Sequence, residues 1–103
     1  MARKIKNPVV VTLTRARAED LYSVLCRSSD TRLINLVGDQ IDCQAGRYVV
    51  LSLSRKDALA AQGKALNDVQ PGGNRTLTIR NYTTIEKAFL DAYTARLRAS
   101  VGE

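Results

Sequence analysis

Two stretches of the chain, RYVVLSLSRK (47–56) and RTLTIR (75–80), place hydroxyls and cations at alternate positions. In a strand such residues share a face, because successive side chains point to opposite sides. If the two stretches lie together, Ser52, Ser54, Lys56, Thr76, Thr78 and Arg80 form one surface of short hydroxyls and positive charge. That chemistry suits contacts with phosphates, riboses and base edges. It equally suits an ordinary wet sheet face. Tyr48 and Tyr82 are the candidates for stacking on a base.

Other chemistry is thinly supplied. The chain has no His, which removes His-based acid–base catalysis and Cys/His zinc sites. Ser52 and Ser54 have no histidine to activate them, and neither do Cys26 and Cys43. Asp39 and Asp42 sit in a stretch that reads as a turn, where solvated, turn-forming carboxylates are expected. The two cysteines share no metal-type spacing and are expected as buried small apolar residues rather than a disulfide. No enzyme, cofactor or metal centre is expected. Sixteen Lys and Arg against ten Asp and Glu give a net charge of +6, a balance that favours a polyanionic partner.

The elements that must position these residues are legible in part. The 103 residues suit one compact domain, and 45% hydrophobic content is too high for disorder by composition. No segment has the apolar length of a membrane span, and residues 1–7, MARKIKN, read as a basic arm. VVVTLT (9–14) reads as a strand with Val9, Val11 and Leu13 on one face. RARAEDLYSVLCRSSD (15–30) reads as a short helix or helical turn, with Thr14 as its cap. Residues 31–56 read as a meander: RLINLV is strand-like, Gly38-Asp39 and Ala45-Gly46 suit turns, and RYVVLSLS is the strongest strand. VVVTLTR and VVLSLSR repeat one strand pattern. The first half of residues 56–74 is Ala- and Leu-rich and forms a helix if Ser54 caps it; NDVQPGGN is a loop without the residues of a phosphate-binding P-loop.

The last stretch, RTLTIRNYTTIEKAFLDAYTARLRAS (75–100), reads as a strand, a capping box at Thr83 and Glu86, and an amphipathic helix ending before Gly102. Ile85, Ala88, Phe89, Ala92, Tyr93 and Leu97 share a helical face. That face must cover either its own sheet or the sheet of a second copy.

Taken in order, the chain resembles the coat proteins of single-stranded RNA bacteriophages. TRLINLVG and GRYVVLSLSRK are similar to that family's paired middle strands, KALNDVQPGGN to its long loop, and residues 75–100 to its final strand, polar turn and packing helix. The chain is short for the family, and its first hairpin strand is reduced. The resemblance implies an α+β fold: an antiparallel meander with a C-terminal helix, in an interlocked homodimer. Ile85, Phe89, Ala92, Tyr93 and Leu97 would then form the dimer interface. Asn35, Arg47 and Tyr48 would join Ser52, Ser54, Lys56, Thr76, Thr78 and Arg80 on the RNA side. It further implies a virion structural protein that assembles into an icosahedral shell in the host cytoplasm and packages RNA. Translational repression through an RNA hairpin often accompanies that role. The alternative is a ferredoxin-like β-α-β-β-α-β module with an added C-terminal helix, acting as a small basic binding or regulatory protein. A stable helix over 55–67 favours the alternative.

Overall fold

The computed structural model describes residues 8–101 and is α+β: β1 (Val9–Thr14), α1 (Arg15–Leu25), α2 (Thr31–Asp42), β2 (Tyr48–Leu53), α3 (Arg55–Val69) and α4 (Ile79–Val101). The basic arm and the stop at Gly102 lie outside the described residues. β1 and β2 pair antiparallel, with Val9 opposite Leu53, Val11 opposite Leu51 and Leu13 opposite Val49. The two look-alike strands are therefore each other's partners.

A two-stranded ribbon alone is marginal in water. The helices stabilise this one by covering one face. Val9, Val11 and Val49, with Leu51 and Leu53, are fully buried against Leu21, Leu25, Leu33, Ile85 and Phe89. Val10, Thr12, Thr14, Tyr48 and Val50 stand on the opposite, exposed face. This is the alternation read from the sequence.

Residues 31–37 depart from it. They are helical, not a strand of a meander. The Asp30 side chain caps the helix by accepting from the Leu33 amide at 3.1 Å. Leu33, Val37 and Ile41 then fall on one buried helical face. Gly38 is not at a turn: a Cβ there would meet Cε1 of Tyr22 at 2.8 Å, so the glycine lets α1 and α2 pack closely. Gly46, by contrast, has φ of 116° and keeps the expected turn before β2.

α2 also explains why the sheet stops at β2. The Gln40 side chain donates to Ser52 O at 3.1 Å and accepts from Ser52 N at 2.7 Å. Gln44 does the same for Val50, at 2.7 and 2.8 Å. Two side-chain amides thus occupy the hydrogen-bonding positions of a third strand and close that edge. Beside β1 lies the alanine side of α4, where Ala92, Ala95 and Ala99 border Pro8 and Val10.

α3 forms as the Ser54 cap requires, with Ser54 Oγ accepting from the Asp57 amide at 3.1 Å. Asp57 is buried and paired with Arg32 across from α2; the guanidinium holds its carboxyl below the usual range, although burial pulls the other way.

The strand expected at 75–80 is absent. Thr76 and Leu77 are loop, and α4 starts at Ile79 with Thr78 Oγ1 accepting from the Asn81 amide at 3.0 Å. The Thr83–Glu86 capping box is inside the helix instead. Thr83 Oγ1 donates back to Ile79 O at 2.9 Å, and Glu86 accepts the Tyr82 hydroxyl at 2.8 Å. Cys26 and Cys43 are free and exposed at the ends of α1 and α2, contrary to the burial expected of them. The ferredoxin-like alternative gains its helix over 55–67, but the described residues contain two strands where it needs four.

Tyr82 gives the fold an alkaline limit. Burial, and then the Glu86 carboxylate, push its hydroxyl up to about 12 from an ordinary value near 10. A raised folded-state value favours the native form while the phenol is neutral. Its contribution is whole below about pH 10 and disappears as pH rises through about 12. Denaturant melts should show wild type losing about 2 kcal/mol relative to Tyr82→Phe between those limits. A constant difference across that window would contradict this assignment.

Candidate nucleic-acid interface

The residues expected to form one RNA face are divided by the fold. Tyr48 and Ser52 do share the outer face of β2, with Arg47 exposed just before it. Tyr48 is 57% exposed and pairs in register with Thr14. Ser54 and Thr78 have become helix caps whose oxygens accept backbone amides. Lys56 and Arg80 are exposed in the first turns of α3 and α4, Asn35 is exposed on α2, and Thr76 is exposed in the loop before α4. Tyr82, the other stacking candidate, is buried with its hydroxyl engaged. Of the proposed face, the ribbon keeps Arg47, Tyr48 and Ser52, joined by Thr12 and Thr14 from β1.

The proposed dimer interface is likewise mostly internal. Ile85 and Phe89 are fully buried and Ala92 nearly so, packed into the chain's own core. Tyr93 is half-buried and donates its hydroxyl to Gln62 Oε1 of α3 at 3.1 Å. Leu97, 65% exposed, is the one of the five left largely in solvent.

A second polar feature went unrecognised in the sequence. A cleft of about 410 Å³ opens between the end of α1, the second half of α3 and the loop 70–74. Arg27 and Lys64 line it from different elements, and neither is in an ion pair among the described residues. Ser28, Asn67, Gln70 and Asn74 add hydroxyl and amide groups.

The loop wall is tightly specified. Gly72 has φ of 88°, a region that disfavours side chains. At Gly73 a Cβ would fall 2.2 Å from Asn67 O, so only glycine fits. Asp68, buried at 5% exposure, fastens the far side. Its Oδ1 accepts from Thr76 N at 3.0 Å, its Oδ2 from Leu77 N at 2.7 Å, and its carbonyl from Arg75 N at 2.8 Å. Both oxygens of this carboxylate, the only one among the described residues that line the cleft, are thus engaged with backbone amides. Two cations and one committed carboxylate leave the cleft positive, a setting for an anionic group such as a phosphodiester.

NDVQPGGN announced a loop, but nothing local linked it to Arg27, which arrives from the far end of α1. Among the described residues, no group of three or more His, Cys, Asp or Glu side chains is placed to hold a metal ion. No described helix is long and apolar enough to cross a membrane.

Fold and cleft together define a small basic α+β domain with a cationic cleft and an open ribbon face. No known protein family, curated protein or solved structure matches the chain.

Proposed function

We propose that this protein binds single-stranded RNA through its phosphate backbone. The observation that carries the proposal is the convergence of Arg27 and Lys64, without ion-pair partners among the described residues, on one polar cleft. The net charge of +6 supports it by drawing a polyanion to the surface. The ribbon face supplies an exposed aromatic, Tyr48, with Arg47 beside it, as a stacking platform for a neighbouring base. The shell assembly that the resemblance implied is left aside here, since it calls for an α4 face turned to a second copy, and Ile85, Phe89 and Ala92 are buried within this chain.

Fluorescence anisotropy with a labelled single-stranded RNA tests this reading across a salt series. Affinity should fall steeply as salt rises. Arg27→Ala with Lys64→Ala should lower the slope of log K against log salt by roughly 1.4, about 0.7 for each lost phosphate contact on a single strand. A slope untouched by the double substitution rejects the cleft. Binding without salt dependence, or none, rejects the function.

A further inference from the structure

Among the described residues, five of the eight exposed large hydrophobic side chains lie on α3 and α4: Leu59, Leu66, Ile79, Leu90 and Leu97. The two helices run antiparallel. The start of α3 meets the end of α4, where Arg55, Leu59, Tyr93, Arg96 and Leu97 surround a cavity of about 310 Å³. The end of α3 meets the start of α4, where Val69 borders Leu77 and Ile79. Tyr93 bonds to Gln62 between these ends, so that side of each helix faces the other. Leu59 and Leu66 are one heptad apart, as are Leu90 and Leu97, and all four sit on the solvent side of that contact. They form an apolar seam, which Thr83 and Glu86 interrupt on the way to Ile79. From Ile79 to Leu97 it runs about 27 Å at 1.5 Å per residue.

The seam has the length and shape for a helix laid into a groove. Gly63 adds a notch: it lies between Leu59 and Leu66 along α3, and nothing lies within 4 Å of where its Cβ would be. Charge selects the occupant. Arg55 and Lys56 neighbour Leu59 by helical spacing, and Lys87 neighbours Leu90; all three are exposed. Of the carboxylates near Leu90 on α4, Glu86 is half-buried and accepts the Tyr82 hydroxyl, and Asp91 is exposed one turn from Lys87, so Arg55 and Lys56 beside Leu59 carry most of the selection. A second copy would bring the same cations against these, within a chain whose net charge is +6.

We propose that the α3–α4 seam is a docking groove for a partner protein's amphipathic helix, one with leucine-type side chains on its inner face and acidic residues along its flanks. The partner's apolar stripe covers the five exposed side chains, and its carboxylates meet Arg55, Lys56 and Lys87. The groove is separate from the Arg27–Lys64 cleft, so this interaction stands or falls independently of RNA binding.

The test uses the full chain and two labelled synthetic peptides of about five helical turns. Both carry leucines at heptad a and d positions; one has glutamate at the flanking positions, the other lysine. The glutamate peptide should bind saturably and at least tenfold more tightly than the lysine peptide. Leu59→Ser with Leu97→Ser, both surface changes checked for folding by circular dichroism, should weaken it at least tenfold. Arg55→Glu should narrow the preference between the peptides. Gly63→Ala should raise thermal stability, as removal of a helix glycine does, while weakening the peptide. No binding, equal binding of the two peptides, or indifference to the serine substitutions overturns the proposal. So does a dimer in sedimentation that the serine substitutions abolish, which makes a second copy the occupant. Seam-dependent binding to phosphatidylserine vesicles without peptide binding overturns it in favour of a membrane surface.

Discussion

Phe89→Ala should cost about 3–5 kcal/mol and lower the melting temperature sharply. Phe89 is fully buried in the middle of α4, with the Tyr93 ring 6.4 Å away and the inner side chains of the ribbon among its core neighbours. Its removal opens a cavity that a ribbon pinned at both flanks cannot collapse to fill. A domain of this size has roughly 5–15 kcal/mol in all, so the loss takes a large part of it. At about 4–8 °C per kcal/mol, the melting temperature should fall by at least about 12 °C. Leu97→Ala, on the same helix but 65% exposed, should change stability by no more than about 0.5 kcal/mol. Denaturant melts at two protein concentrations add a further check. If α4 covered a partner's sheet, the Phe89→Ala midpoint would move with concentration. Packing within the chain predicts a midpoint that does not move. A loss under about 1 kcal/mol, or a moving midpoint, would contradict the placement of α4.

The contrast between Phe89 and Leu97 shows where sequence patterning stops being informative. A helical face was evident from Ile85 to Leu97, but period alone cannot say whose surface covers it. Strand alternation did better. Val9, Val11 and Leu13, and Val49, Leu51 and Leu53, are buried as their spacing requires, because one-sided burial is a local property of a strand. It failed at RLINLV and RTLTIR for reasons that lie elsewhere in the chain. Gln40 and Gln44 occupy the β2 edge where a further strand would pair, Gln40 reaching it from within α2 and Gln44 from just past its end. The carboxylate of Asp68 takes the amides of Thr76 and Leu77, which removes the donors a strand would have offered. Side chains replaced a neighbouring strand in both places. The same limit applies to the candidate interface. The outer face of β2 was readable by alternation, whereas the cleft depends on the turn after α1 packing near the second half of α3, so that Arg27 and Lys64 line one space.

Asp68→Ala tests that last dependence, with stability and binding moving in a diagnostic combination. The substitution strands the amides of Thr76 and Leu77, the latter at a buried residue, and should cost about 2–4 kcal/mol. Asp68→Asn keeps one carbonyl acceptor and should cost about half as much. On charge alone, alanine should improve RNA binding, because it raises the net charge from +6 to +7 and removes the one carboxylate that lines the cleft among the described residues. The structure predicts the opposite. Asp68 fastens the segment that follows the Gly72-Gly73 turn, and that turn forms the wall facing Arg27 and Lys64. Once that anchor is gone, the cations no longer converge on a fixed anion position, and the ordering that the native loop supplies in advance must be supplied on binding. RNA affinity should therefore fall several-fold at a temperature where melting shows Asp68→Ala still folded, with Asp68→Asn intermediate. Tighter binding in Asp68→Ala would mean that general charge, and not the built cleft, attracts the RNA.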